Sequence, residues 1–326
     1  MMVMRRQILR WAGGALAAGV ASRAAHGQSY PSRPVRVLVT TGPGGQGDTT
    51  ARLVAAKLTE NLGQSFYIEN MPGGGGNIAM MATARAAPDG YTLLAATSNI
   101  VTNISLYPKI AYDPYRDFDP ISQMCASPHV LVVHPSIPAA TVNDLVALAK
   151  ASPGKFSYAS AGRGTPAHLA GELFKLAFDV DITHVPFNGG GPASASTLGG
   201  HVPIAVSALP TAVTYIRGGQ LRALGMFSSK RSSALPDVPT MKEATGHDLP
   251  ADIVNGLIAP AGLPKPIIEL LHRETVKVLS TPDTREKLAA MGFDPVASTP
   301  EEFAEWIRTE IVRWGKVIRD ANITLQ

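Results

Sequence analysis

The chain has 326 residues, 45% of them hydrophobic and 17% charged, with one cysteine and a formal charge of +4. That length and apolar content suffice for a large core, usually shared between two domains, and a single cysteine excludes an internal disulfide. Four arginines and no acid lie before residue 28, so the remainder carries equal numbers of basic and acidic residues, which argues against nucleic acid or an anionic membrane as partner.

Residues 1–27 open with Arg5-Arg6-Gln7-Ile8-Leu9-Arg10, continue through an apolar stretch over 11–21 and end in Ala25-His26-Gly27. The pattern is that of a signal peptide cleaved near Gly27; the arginine pair favours twin-arginine over Sec export, although Ile8 stands where phenylalanine is commoner. The apolar stretch is too short for a permanent anchor. The mature chain is therefore expected to be free in the periplasm.

Two α/β units follow. A strand at 35–39 runs into Thr41-Gly42-Pro43-Gly44-Gly45-Gln46-Gly47-Asp48 and a helix whose apolar positions Ala51, Val54, Leu58 and Leu62 recur at helical spacing up to Gly63. A strand at 64–69, glycines 73–76, a helix over 77–87 and a strand at 91–96 complete the unit, with Pro88-Asp89-Gly90 as a turn. The second unit has a strand at 130–133, a helix over 142–151, a strand at 156–158, a strand at 182–185 and a glycine turn over 189–192. Within it lies another glycine junction, Ser160-Ala161-Gly162-Arg163-Gly164-Thr165-Pro166, with Thr165 as N-cap and Pro166 at the first helical position. After Pro239 the pattern is mainly helical, over 265–279, 283–291 and 300–321, the last with Thr299 as cap and Glu302 three residues on. Trp306 and Trp314 are expected to pack this helix. The alternation predicts an α/β fold of mixed, mostly parallel sheets flanked by helices. The C-terminal helices are expected to return to the first unit, giving one domain from 28–126 with 253–326 and another from 127–252.

Each glycine junction is either a tight turn or a helix N-terminus whose unpaired amides and dipole seat a carboxylate or phosphate. Two matched junctions favour binding. Thr41, Ser98, Asn99, Ser160 and Thr165 fall at strand ends or helix starts, where open α/β sheets place ligands, and serve equally well as caps and turns. Arg163 can grip a carboxylate with two hydrogen bonds or remain a solvated loop charge. The segment 42–47 also satisfies the dinucleotide fingerprint, with Glu69 placed for a ribose, so an exported nicotinamide-dependent oxidoreductase is the competing reading. Asp48 at the start of the helix and the proline inside the loop oppose it. Asp48-Thr49 replaces the lysine and hydroxyl residue of a phosphate loop. Ser160 lacks the preceding glycine of a nucleophile elbow, and no sequence signal pairs it with His168 or His184. The scattered histidines have no metal-site spacing. No catalytic residue, metal or cofactor is assigned.

Several ordered segments carry a family resemblance: Tyr30-Pro31-Ser32-Arg33-Pro34-Val35-Arg36, Pro43-Gly44-Gly45 with Asp48, Glu69-Asn70 through Gly75-Gly76-Asn77-Ile78, Ala87-Pro88-Asp89-Gly90-Tyr91, Leu106-Tyr107-Pro108-Lys109, Gly164-Thr165 with His168-Leu169-Ala170-Gly171-Glu172, His184-Val185-Pro186-Phe187, and Ala234 to Thr240. Along nearly the whole mature chain they resemble the Bug receptors, the periplasmic substrate-binding proteins of tripartite tricarboxylate transporters. The resemblance implies a two-domain periplasmic binding protein of type II-like fold, with a ligand cleft between domains that closes on binding. It implies a monomer without a cofactor that hands a small organic anion to membrane permease subunits; a receptor for a signalling partner is the alternative. By that pattern Thr41, Gly44 and Gly45, with Asp48 in the same loop, hold one carboxylate, and Ser98 and Asn99 lie beside it. Ser160, Gly164, Thr165 and His168 answer from the second domain, and Phe187 walls the pocket. The chain departs from the family at Thr41, commonly aromatic or proline, at Met71, usually arginine, and at Ser207-Ala208, usually an acidic pair. Loss of an acid at Ser207 removes a partner for amino groups, so a dicarboxylate or aromatic acid is expected, with Arg163 on its far carboxylate.

Overall fold

The computed structural model describes residues 30–325; the signal-peptide reading of residues 1–27 lies outside them. The compact unit that begins at Arg33 carries all the elements below.

β1 (Val35–Val39) is a β-branched run buried at all positions but Arg36. It leads through the first glycine junction into α1 (Gln46–Leu62), which buries Ala51, Val54, Ala55 and Leu58 and ends where Gly63 turns left-handed at φ 70°. β2 (Phe66–Asn70) is followed by a 3-10 turn at Gly74–Gly76, α2 (Asn77–Ala84), β3 (Thr92–Thr97), α3 (Asn99–Leu106) and β4 (Phe118–Ser127). Pro128 then passes the chain to β5 (His129–Val133), α4 (Val142–Ala151), β6 (Phe156–Ser160), α5 (Pro166–Phe178) and β7 (Ile182–Pro186). The glycines at 189–191 open a helix rather than a simple turn: α6 (Gly190–Leu198) precedes β8 (Ile204–Ala208), α7 (Leu209–Arg217), β9 (Arg222–Phe227) and α8 (Met241–Thr245).

The region after Pro239 is not only helical. β10 (Ile253–Pro260) is an eight-residue strand buried at every position, followed by α9 (Lys265–Ser280), α10 (Pro282–Ala290), the short β11 (Asp294–Pro295) and α11 (Pro300–Asp320). α11 opens with the expected Thr299–Glu302 capping box. Trp314 is 4% exposed, and Trp306 is partly buried against the core with its ring beside Phe303.

Two sheets result among the described residues, one in the order β11-β4-β10-β3-β1-β2 and the other β7-β6-β8-β5-β9. β1 pairs parallel with β2 and β3, and β6 parallel with β7 and β8, as strand–helix–strand alternation requires. The antiparallel partners are β10, between β3 and β4, and β5, between β8 and β9, with β11 beside β4. β5 and β10 are the strands that arrive from the other sheet, so each enters against the direction of its neighbours. α9 packs on α1 and β4, and α11 on α3 and β4. Close approach requires glycine at two of these contacts: a Cβ on Gly256 would fall 2.2 Å from the Phe303 ring of α11, and one on Gly171 of α5 would fall 2.3 Å from the Tyr158 ring of β6.

Candidate functional site

A cavity of about 530 Å³ is lined from both sheets. One side is made by the β1–α1 loop, the β3–α3 junction and β10; the other by the starts of α5, α6 and α7 and the end of β8. Five helices therefore begin at this space, because the N-cap residues Gly45, Ser98, Thr165, Gly189 and Ala208 all line it. Four of the five have no side-chain cap; only Thr165 Oγ1 of α5 accepts its helix's amide, that of His168. First-turn amides without a partner present donors and the positive end of each dipole to whatever fills the cavity. No Asp, Glu, Lys or Arg lines it among the described residues.

Two lining side chains carry a buried polar atom with no hydrogen-bond partner among the described residues, Thr41 Oγ1 and Asn255 Oδ1. The Thr41 hydroxyl is wedged between glycines, since a Cβ on Gly45 or Gly47 would come within 3.0 or 3.1 Å of it. Ser98 Oγ is already engaged, accepting from Val254 N–H at 2.7 Å and lying 3.3 Å from Asp252 O, so it ties the β3–α3 corner to the segment that crosses between sheets. His129 opens β5 and lines the cavity; its Nδ1 lies 2.6 Å from Ala251 O on the other crossing segment. Burial pushes its pKa down to about 4, and the bond to Ala251 only partly opposes this.

Of the residues singled out from sequence, Thr41, Gly44, Gly45, Ser98, Asn99, Thr165 and Ser207 are brought together on this lining. Asp48, Ser160, Arg163, Gly164, His168 and Phe187 are not on it. Asp48 is buried behind the first loop, where its carboxylate accepts from Gly44 N–H, Asn70 Nδ2 and Arg52. Burial alone would raise its pKa, but these hydrogen bonds hold it below the usual carboxylate range. Gly44 N–H, which a dinucleotide would need for its pyrophosphate, is thereby occupied by an acid. Arg163 is exposed in the turn preceding α5. Phe187 packs partly buried on the second core cluster, its N–H donating to Ser160 O.

Buried Ser160 and His168 and half-buried His184 form a set behind the second junction. Ser160 Oγ is 2.7 Å from His184 Nε2, and the two imidazoles stack with centroids 3.9 Å apart. His168 Nδ1 accepts Gly164 N–H at 3.0 Å, and Glu172 Oε1 lies 3.9 Å from its Nε2. Desolvation lowers the pKa of His168 to about 4 and that of His184 to about 3, the latter also through its neighbour His168. Ser160 is fully buried and does not line the cavity, so this serine–histidine pair is a brace for the 161–165 loop. Among the described residues no group of three or more His, Cys, Asp or Glu is gathered closely enough to hold a metal ion.

The family described as "Tripartite tricarboxylate transporter family receptor" matches residues 50–323. BugT of Bordetella pertussis is 38% identical over 300 residues, covering 91% of this chain and 92% of that one. The chain belongs to this receptor family. Solved structures agree: an R. palustris protein with adipate superposes with a TM-score of 0.81 at 34% identity, over 91% of this chain and all of that one. MatC of Rhodopseudomonas palustris with bound malate gives 0.76 at 33% identity, over 89% of this chain and all of that one. The fold of this receptor-family member is thus the two-domain α/β binding-protein fold, and no helix among its described residues is long and apolar enough to cross a membrane.

Sequence reasoning missed His129, Asn255, Thr211 and the glycines at 189–191 as lining residues of this receptor. The glycine run was visible as a turn, but its helix is written Gly-Gly-Pro-Ala-Ser-Ala-Ser-Thr-Leu, poor in helix formers and without an apolar stripe. His129 and Asn255 reach the cavity because β5 and β10 cross between sheets, which no local pattern announces.

Proposed function

We propose that the protein is a periplasmic receptor that holds a small organic carboxylate between its two sheets and delivers it to the permease subunits of a tripartite tricarboxylate-type transporter. One observation carries the reading: the N-termini of α1, α3 and α6, none with a side-chain cap, meet at a cavity that no Asp, Glu, Lys or Arg lines among the described residues. Fixed amide dipoles can neutralise a carboxylate there, each contributing on the order of 0.3–1 kcal/mol and up to ~2 kcal/mol when partly buried. A protonated amine would find no carboxylate partner, so a dicarboxylate or aromatic acid is favoured over an amino acid. Relatives with adipate and malate support the carboxylate class. The two lobes are taken as 28–126 with 253–326, and 127–252. They close about the crossings at Pro128 and Ala251–Ile253, with binding rather than chemistry as the output and a single chain as the working unit.

Thermal unfolding against mono-, di- and tricarboxylates, aromatic acids, amino acids and nicotinamide nucleotides tests this. A ligand at about a hundred times its Kd stabilises by roughly 2.7 kcal/mol, a rise of several degrees in Tm. Stabilisation by carboxylates without an amine is expected. Stabilisation by nicotinamide nucleotides or amino acids alone would sink the reading.

A further inference from the structure

The cavity's helix starts offer donors, but the crossing strands offer acceptors. A backbone carbonyl can only accept, so the 2.6 Å contact with Ala251 O places the ring proton of His129 on Nδ1 and leaves Nε2 as an acceptor. The low pKa that burial imposes keeps the ring neutral at ordinary pH, consistent with that tautomer. On β10, Asn255 is 1% exposed; its amide nitrogen contacts Cys125 Sγ at 3.9 Å, and its Oδ1 has no partner among the described residues. A buried carbonyl oxygen left without a donor is unfavourable, and a carboxylate oxygen cannot supply one. Both side chains line the same cavity as the uncapped helices.

We propose that the ligand is a hydroxylated dicarboxylate, its carboxylates received by the helix amides and its hydroxyl donating to His129 Nε2 or, in a doubly hydroxylated ligand, to Asn255 Oδ1 as well. His129 and Asn255 are then the residues that separate hydroxy acids from plain dicarboxylates. The inference rests on the cavity being a carboxylate site. It adds a requirement which that reading alone does not make, because helix amides bind succinate and malate alike.

Calorimetric titration with matched ligands tests it: succinate, malate and tartrate as one series, glutarate and 2-hydroxyglutarate as another. The hydroxylated member of each pair should bind at least ~10-fold more tightly, since a site built to pair a hydroxyl leaves buried groups unsatisfied with the analogue that lacks it. In His129→Phe and Asn255→Leu the ratio within a pair should fall toward one. The ratios of the unaltered protein decide the matter even where a substitution prevents folding. Equal affinities within pairs, or a preference that survives both substitutions, would overturn this inference and leave the carboxylate reading standing. Failure of every carboxylate to bind would overturn that reading itself.

Discussion

The mouths of α1 and α5 both follow a strand through a glycine loop, yet their first amides have different fates. At α1, Gly45 caps without a side chain, and Asp48 folds back behind the loop to take Gly44 N–H while Arg52 and Asn70 anchor it. The cavity side of that turn stays open. At α5, Thr165 takes the His168 amide and bonds Gly162 O, while His168 Nδ1 takes the Gly164 amide and stacks on His184, which meets Ser160. Those donors are already used. In the second half of the molecule the free first turn belongs instead to α6, whose cap Gly189 carries no side-chain hydrogen bond; at α7 the Leu209 N–H already donates to Pro128 O at 3.0 Å and Pro210 has no N–H to offer. A glycine-rich strand-to-helix turn is an anion seat only where no side chain has claimed its amides first.

The sharpest way to break this contrast is Gly47→Val. A Cβ there would stand 3.0 Å from Thr97 Cγ2 and 3.1 Å from Thr41 Oγ1, crowding the α1 mouth. Carboxylate affinity should fall by ~100-fold in calorimetry, roughly the loss of one or two charge-assisted hydrogen bonds; an unchanged Kd would mean that the seat lies elsewhere.

The locked mouth should reveal itself through pH. His168 has its folded pKa lowered to about 4 against about 6.5 when unfolded, so its stabilising contribution is complete above pH 6.5 and is lost as pH falls toward 4. His129 behaves in the same way. The unfolding free energy should therefore drop across that window, by at most about 1.4 kcal/mol per pH unit for each group, with Tm falling alongside, and His168→Gln should flatten the slope. A slope that His168→Gln leaves untouched would remove the stack from the account.

A smaller effect is expected from Asp48→Asn, which keeps the shape but weakens the tie from the first loop to Arg52. The Asp48 side chain is 3% exposed and that of Arg52 is 51% exposed, so the pair is partly screened and about 1–2 kcal/mol should be lost at pH 7 in urea unfolding. Because the folded pKa of Asp48 is depressed, its contribution is present above the unfolded value near 4 and disappears as pH falls through the folded one, so variant and parent should converge in acid. A divergence that does not narrow as pH falls below 4 would contradict the assignment. The smallest effect belongs to Arg163→Ala: an exposed loop cation away from the lining should change affinity by less than about 2-fold, and a tenfold loss would restore it as a ligand contact.

The helical frame was legible because its signals are local. Thr165-Pro166 and Thr299 with Glu302 mark helix starts in their own residues, and both are caps in the structure. β10 was not legible, since Ile-Val-Asn-Gly-Leu-Ile-Ala-Pro is buried on both faces and has no alternation to read, and its ladder is interrupted by register shifts around Asn255 and Gly256. Half of the cavity could be reached by reasoning from strand ends. His129 and Asn255 were hidden because they gain their position only from the crossing of the chain between sheets, and Asp48, Ser160 and His168, which look like ligand groups in sequence, lie off the lining because they bond within their own loops.

The central claim is that helix amides, not charged side chains, hold the anion. A crystal structure of the protein with the carboxylate that stabilises it most tests this directly. Carboxylate oxygens should lie about 2.7–3.2 Å from first-turn amides of α1 on one side and of α6 on the other. A carboxylate paired instead with an arginine or lysine side chain, or bound outside this cavity, would contradict it.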